Sequence, residues 1–266
     1  MRSGTWIRTI VLMGGMVLAA ACKKEATTPY HYTTGDSARI SITNISPSIA
    51  NLQLFVNNQF FPLPDSPIVF GATATVTFIV NPDSYHADTF LIPYVNIKSG
   101  YQQLAFMPDV NGSTVSVVNN YFEPYASYSL FLTDTLIHGK VTSVLVKDNI
   151  IQTDTSKCQL RFLNLAPNAP PLDIWAYPDA GYDGYRLFSD CAYLPNDFNS
   201  FQSAQSFSIL QAGLYYFEAT LAGTNNIVSG GYLYLKGRNA VTLFTKGYLT
   251  GYGTAGLAVG VIQYQL

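Results

Sequence analysis

Two stretches of the chain read as an apolar strand, a proline-bearing bend and a second apolar strand, 120 positions apart: SITNISPSIANLQLFVNNQFF from Ser41 and RFLNLAPNAPPLDIWAYPDAG from Arg161. Proline lacks an amide donor and fixes φ, so no ladder can run through 166–171 and the chain must leave one strand and start another. The first of these strands is expected to end at Leu165 and the second to begin near Leu172. The earlier stretch has Pro47 but not the paired prolines, so one proline is expected to be enough for the corner.

The alignment extends well beyond the corner. Asn44/Asn164, Pro47/Pro167, Leu52/Leu172, Leu54/Ile174 and Phe55/Trp175 share the offset of 120. Further on the offset becomes 113, for Ile97/Leu210, Gly100/Gly213, Leu104/Phe217 and then SerLeuPhe (129–131) against ThrLeuPhe (242–244). The residues lost between the two blocks belong in a loop, because an odd slip inside a strand would exchange its core and solvent faces. Two copies of one domain are therefore expected, 36–152 and 157–266, joined near Gln152–Ser156.

Short alternating runs such as ArgIleSerIleThrAsnIle (39–45), AlaThrValThrPheIleVal (74–80) and GlnLeuArgPheLeu (159–163) are strand signals. Asn111-Gly112, Thr224-Asn225-Asn226 and Lys236-Gly237-Arg238-Asn239 are read as hairpin turns, and 255–266 as a strand running to the end. No segment carries a sustained helical stripe, and of the 16 acidic residues only Glu25, Glu123 and Glu218 are the better helix former. The expected class is all-β: two tandem immunoglobulin-like β-sandwich domains of about seven strands each, with a β-barrel of similar strand count as the rival fold.

The first 21 residues read as an export signal. Arg2 and Arg8 precede an apolar run at 9–18 that is too short to span a bilayer, and Ala19-Ala20-Ala21 leads into Cys22. The small residues before Cys22 resemble the lipobox of bacterial lipoproteins, with Ala19 where leucine is usual and Leu18 one place earlier. That resemblance implies cleavage before Cys22 and a diacylglyceryl group on its thiol, anchoring the mature chain to a membrane. Residues 22–35 would be a lipidated tether, and its lysines beside Glu25 resemble signals that send some lipoproteins to the outer face of the cell. The expected address is the bacterial cell envelope, most simply the outer membrane, on its periplasmic or surface face. The anchor and the repeat already account for export and apolar content, which sets aside an outer-membrane barrel. Without Arg2 and Arg8 the chain has 12 basic against 16 acidic residues, so no basic field exists to hold nucleic acid.

Residues 158–180 resemble the start of a bacterial domain-of-unknown-function family found in exported lipoproteins, with a signature running R-apolar-apolar-N/H-x-S/A-P-x-A-P-x-apolar-D-apolar. Arg161, Asn164, Ala166, Pro167, Ala169, Pro170 and Asp173 match it. The first copy keeps Asn44, Ser46 and Pro47 and has Ser41, Ile49, Ala50 and Gln53 at the other places. The resemblance implies a β-sandwich and an envelope address, and it supplies no catalytic residues and no cofactor.

Cys158 and Cys191 remain after Cys22; in an oxidising compartment they either form a disulfide or stay as two buried free thiols. Arg161 and Asp173 are candidates for a structural ion pair joining the two arms of the corner. His31, His86 and His138 are scattered, and Asp83, His86 and Asp88 have no recognised metal-site spacing, so no catalytic triad and no metal are expected. Asp179, Asp183, Asp190 and Asp197 lie among aromatics, where two carboxylates at a set separation could serve a glycosidase, although Asp is also simply a turn residue. Trp175 is expected in the core beside its equivalent Phe55. Tyr182 and Tyr185, flanked by Gly and Asp, are the better candidates for an exposed ligand contact. The favoured function is a non-catalytic envelope lipoprotein presenting its domains to a glycan or an envelope protein. A carbohydrate-active hydrolase using the loop aspartates and a purely structural envelope subunit are the alternatives.

Overall fold

A computed structural model describes residues 36–49, 51–63, 68–69, 94–108, 112–134, 141–178, 183–194, 206–250 and 256–264. The leader, Cys22, the tether and the alternating run at 74–80 lie outside them.

The first half contains β1 (Ser37–Asn44), β2 (Asn51–Val56), β3 (Gln59–Phe61), β4 (Ile68–Val69), β5 (Val95–Lys98), β6 (Gly100–Met107), β7 (Ser116–Phe122), β8 (Ser127–Asp134) and β9 (Val141–Lys147). The second contains β10 (Lys157–Leu163), β11 (Leu172–Pro178), β12 (Tyr185–Cys191), β13 (Ser208–Gln211), β14 (Gly213–Leu221), β15 (Ile227–Leu235), β16 (Ala240–Lys246) and β17 (Ala258–Tyr264). The strand orders run in parallel between the halves. One pair of sheets is β5-β1-β8-β9 and β13-β10-β16-β17; the other is β3-β2-β6-β7 and β12-β11-β14-β15, with β4 beside β2. Each half is a β-sandwich, and each has a parallel pair at the centre of one sheet, β1 with β8 and β10 with β16.

The proline corner carries the chain from one sheet of a sandwich to the other, from β1 to β2 and from β10 to β11. The aligned asparagines are what hold the bend. Asn44 accepts from the Ser46 amide (3.0 Å) and donates to the Ile49 carbonyl (2.9 Å). Asn164 accepts from Thr245 Oγ1 (2.8 Å) and donates to the Cys191 (3.0 Å) and Pro170 (3.3 Å) carbonyls. A side-chain amide replaces the ladder bonds that the prolines forbid. β10 stops at Leu163, two residues before the expected end, because Asn164 turns into this clasp.

Alternation fills each sandwich. Leu52, Leu54, Leu104 and Phe106 meet Ile40, Leu130 and Leu132 in the first core, and Ile174, Ala176, Tyr215 and Phe217 meet Leu160, Leu243 and Val261 in the second. A third cluster joins the halves: Ile45, Phe131, Val144 and Val146 pack on Leu163, Leu165, Phe244, Ile262 and Tyr264. Phe131 and Phe244, 113 positions apart, touch each other with ring centroids 5.5 Å apart. β8 and β16 are consequently buried at every position, one face against their own sandwich and the other against the neighbouring one. The sheets containing β8 and β16 are therefore inner layers, and the β2 and β11 sheets are outer layers whose free faces lie at opposite ends of a four-layer stack.

Three expectations are corrected here and one open alternative is resolved. Arg161 pairs with Asp148 (2.5 Å), not Asp173, because its side chain enters the inter-domain layer. Asp173 instead accepts from the Asp190 amide (2.7 Å), the Gly223 amide (3.1 Å) and Arg186 Nη1 (3.3 Å), tying two loops to β11. The Lys236–Asn239 turn is no hairpin: β15 and β16 belong to different sheets, so it is a second sheet-to-sheet corner. Its Gly237 leaves no room for a Cβ against the Thr155 carbonyl. Cys158 and Cys191 are free thiols, one on the inner sheet and one at the end of β12 on the outer sheet. Trp175 is absent from the core because Ile174 and Ala176 occupy the inward positions of β11.

Candidate functional site

Strand alternation decides which side chains reach the free face of the outer sheet of the second sandwich. In β14 the inward residues are Tyr215, Phe217 and Ala219, which leaves Leu214, Tyr216 and Glu218 outward. Register then sets their neighbours. Tyr216 lies opposite Tyr232 of β15 and Tyr177 of β11, so three tyrosines form a row across three strands. Beside it, Glu218 lies opposite Gly230 and Trp175, and Trp175 opposite Arg186 of β12. Tyr234, 61% exposed, stands opposite Leu214 at the open end of this face.

The three rings are in contact. Tyr216 and Tyr232 have centroids 4.9 Å apart, and Tyr177 and Tyr216 have centroids 6.1 Å apart. Two glycines make the arrangement possible. A Cβ at Gly230 would come within 2.8 Å of the Tyr216 hydroxyl, and one at Gly184 would overlap the Tyr177 ring. Tyr216 and Tyr177 thus lean over bare backbone, down onto the sheet. Tyr177 donates to Glu218 Oε2 at 3.0 Å. Partial burial first, and then the Glu218 carboxylate, push the Tyr177 and Tyr216 hydroxyls above their ordinary range, so both stay neutral donors. The face offers π surface, neutral hydroxyls, one carboxylate and one guanidinium, the last held by Asp173.

The outer face of the first sandwich is built differently. At the matching offset of 113, Gln103 stands for Tyr216, Asn119 for Tyr232, Ala105 for Glu218 and Val117 for Gly230. Gln103 donates to Asn119 at 3.2 Å, an amide pair in place of the tyrosine row. Tyr121 matches Tyr234 and packs edge-on against the 84% exposed Tyr101, at 5.1 Å between centroids.

The residues singled out from the sequence fall elsewhere. Tyr182 lies outside the described residues. Tyr185 is 42% exposed, but it stands opposite Ala176 and bonds Tyr215, on the other side of β12 from Arg186. Asp179 and Asp197 are not described; Asp183 precedes β12 and Asp190 is its penultimate residue. At about 3.3 Å per residue they stand roughly 20 Å apart, beyond the ~5–9.5 Å that glycoside hydrolysis requires. Among the described residues no group of three or more His, Cys, Asp or Glu could hold a metal ion; Asp83, His86, His138, Asp88 and His31 lie outside them. Burial raises the Cys158 thiol to about 11 and the Cys191 thiol to about 12, so neither is a nucleophile near neutrality. A cavity of about 310 Å³ lies between Phe162 and Asn164 on one side and Leu187–Ala192 and Leu194 on the other.

The tyrosine row was missed in the sequence because TyrTyrPheGluAla and TyrLeuTyrLeu read as strand filler. The available signal was GlyGlyTyrLeuTyr (230–234): two glycines inside a strand, which mark a close approach by another group.

Residues 38–175, about half of the chain, match the family model described as "Domain of unknown function (DUF4397)". The match runs from β1 to the middle of β11, so it takes in the first sandwich and the second proline corner. No curated protein matches the chain. Among solved structures, the Bacillus anthracis TIE protein is similar at 11% identity and a TM-score of 0.24, over 80% of this chain and 34% of that one. A leucine-rich repeat protein from Bacteroides thetaiotaomicron VPI-5482 is similar at 7% identity and a TM-score of 0.20, over 78% and 25%. The chain spans about a third of the first of these proteins and a quarter of the second, and at such scores neither likeness bears on function.

Proposed function

The chain belongs to the DUF4397 domain family, and from that premise we propose a non-catalytic lipoprotein of the bacterial cell envelope that binds a ligand on an outer sheet face. In this reading Cys22 carries the lipid, residues 22–35 hold the folded part off the membrane, and two immunoglobulin-like sandwiches, copies of one unit over 36–152 and 157–266, face outward. The single observation behind it is the aromatic face of Trp175, Tyr177, Tyr216, Tyr232 and Tyr234. These side chains are held out of the core by strand alternation, where burial would otherwise favour them. Half-buried aromatics gathered on a sheet face, with the exposed Tyr234 beside them, suit recognition more than bond cleavage, which needs an acid and a base at set positions. The loop aspartates supply no such pair in Asp183 and Asp190.

Co-sedimentation of the full chain with purified envelope polysaccharide, and with envelope membranes stripped of polysaccharide, tests this reading. Retention on either without release of reducing sugar is the expected result. No retention on both, or release of reducing sugar, overturns it. Mass spectrometry of the amino-terminal peptide is expected to find a diacylglyceryl thioether on Cys22; an unmodified thiol, or cleavage elsewhere, removes the anchor.

A further inference from the structure

We propose that the Tyr177–Tyr216–Tyr232 row, with Glu218 beside it, is a binding site for a neutral saccharide chain, occupied only in the second sandwich. The proposal rests on the reading of this outer face as a binding surface and adds the class of ligand.

The row is not a requirement of the fold. The first sandwich builds the same sheet order with Gln103 and Asn119 where the second has Tyr216 and Tyr232. Two tyrosines at those places, two glycines that make room for the rings and a glutamate bonded to one of them form a coordinated departure from a plain sheet surface.

Ring spacing selects the shape of the occupant. Centroids 4.9 and 6.1 Å apart are contact distances, so no slot separates the rings. A proline-rich peptide docks its rings into grooves between aromatics, and this row has none to offer. The planes of neighbouring rings are inclined by 50° and 52°, so successive sugar rings of a chain can each rest a C–H face on one tyrosine, with edge hydroxyls toward Glu218 and the tyrosine hydroxyls.

Charge narrows the class further. Single-stranded nucleic acid also stacks on aromatic rows, but it needs a positive groove for its phosphates. Here the half-buried Glu218 carboxylate lies across Trp175 from one guanidinium, Arg186, already engaged by Asp173 at 3.3 Å. Such a face matches a ligand rich in hydroxyls and without charge.

The test is calorimetric titration of the full chain with cellohexaose, xylohexaose, mannohexaose and chitohexaose, with a proline-rich decapeptide as a further arm. Saturable binding of at least one hexaose is expected. Tyr216→Ala with Tyr232→Ala is expected to weaken it at least tenfold, about the loss of one stacking contact. Tyr216→Phe with Tyr232→Phe, which keeps the rings, is expected to hold affinity within about threefold. Gln103→Ala with Asn119→Ala is expected to leave binding unchanged and shows that the effect belongs to the second face. Circular dichroism melting of each variant separates lost binding from lost folding. The saccharide assignment is overturned by no binding to any hexaose, by equal binding in the alanine pair, or by binding of the peptide alone. If envelope retention still depends on Tyr216 and Tyr232 while no hexaose binds, the binding surface stands and only the ligand class falls. If retention is also absent, both fall.

Discussion

Asp148→Asn tests what holds the two sandwiches together. Arg161 is 1% exposed at the inter-domain layer and donates to Asp148 Oδ1 (2.5 Å), Thr242 Oγ1 (2.8 Å) and the Tyr264 hydroxyl (3.0 Å), with its guanidinium 4.6 Å from the centre of the Phe207 ring. Its Nη1 has no partner, so the site has no spare acceptor to take over from Asp148. Asp148 in turn accepts from the Tyr94 (2.9 Å) and Ser129 (2.9 Å) hydroxyls. Asparagine keeps the shape and one acceptor but removes the one carboxylate paired with this buried cation among the described residues, a loss worth about 3–5 kcal/mol. For a unit of this size that is roughly 10 °C in melting temperature. Urea titration followed by circular dichroism and by Trp175 fluorescence reads both the cost and whether the halves still unfold together. Asp148→Leu with Arg161→Met removes the cation and its partner together. It is expected to cost less than Asp148→Asn, about 1–2 kcal/mol, set mainly by the Tyr94 hydroxyl, because Ser129 keeps Tyr264 and Ser41 as partners. An Asp148→Asn cost below about 1 kcal/mol, or one smaller than that of the double variant, would refute the argument that the buried charge governs this interface.

Gly260→Ala would drive a methyl into the Phe244 ring at the contact with Phe131, an overpacking expected to cost about 1–3 kcal/mol in urea titration. Asp173→Asn removes the charge from a carboxylate that three donors hold; a cost of about 2 kcal/mol is expected at pH 7. Burial of Asp173 opposes its ionisation, but the Asp190 and Gly223 amides and Arg186 outweigh it and lower its pKa. Its contribution is therefore full above the ordinary carboxylate range and is lost as pH falls below about 4, so wild type and variant should converge in melting temperature at acid pH. The buried Cys158 thiol and the half-buried Cys191 thiol have folded values of about 11 and about 12 against an ordinary value near 9, so their contribution is complete below pH 9 and declines as pH rises through 11 to 12. Correspondingly, Cys158 and Cys191 should resist a thiol reagent at pH 8 in the native protein and both react in urea without reductant; thiols that react in urea only after reduction would contradict the free pair.

Much of the fold was legible because its signals are local. The proline corners are visible as missing amide donors, and the shared offset of Asn44/Asn164 marks the residue that closes each bend. The β-class follows from short alternating runs, and the final strand is found at Ala258–Tyr264 inside the stretch read as one. The turn at Asn57–Asn58, both at positive φ between β2 and β3, was readable from its paired asparagines and passed over. The candidate site was legible only in fragments. Tyr182 and Tyr185 drew attention by their glycine and aspartate neighbours, whereas the tyrosines that meet come from three strands.

By itself, the sequence determined the periodicity, the breaks in it and hence the strands, since each depends on residues within a few positions of one another. Tertiary structure alone decided which partner each long side chain would find. Arg161 has a carboxylate 12 positions away at Asp173 and another 13 away at Asp148; the packing of one sandwich against the other brings in the second. Trp175 was expected inside as the strand equivalent of Phe55, but strand register gave the inward places to Ile174 and Ala176. The row of Tyr177, Tyr216 and Tyr232 exists only because β11, β14 and β15 lie side by side in one register, and register is a property of paired strands rather than of any one of them.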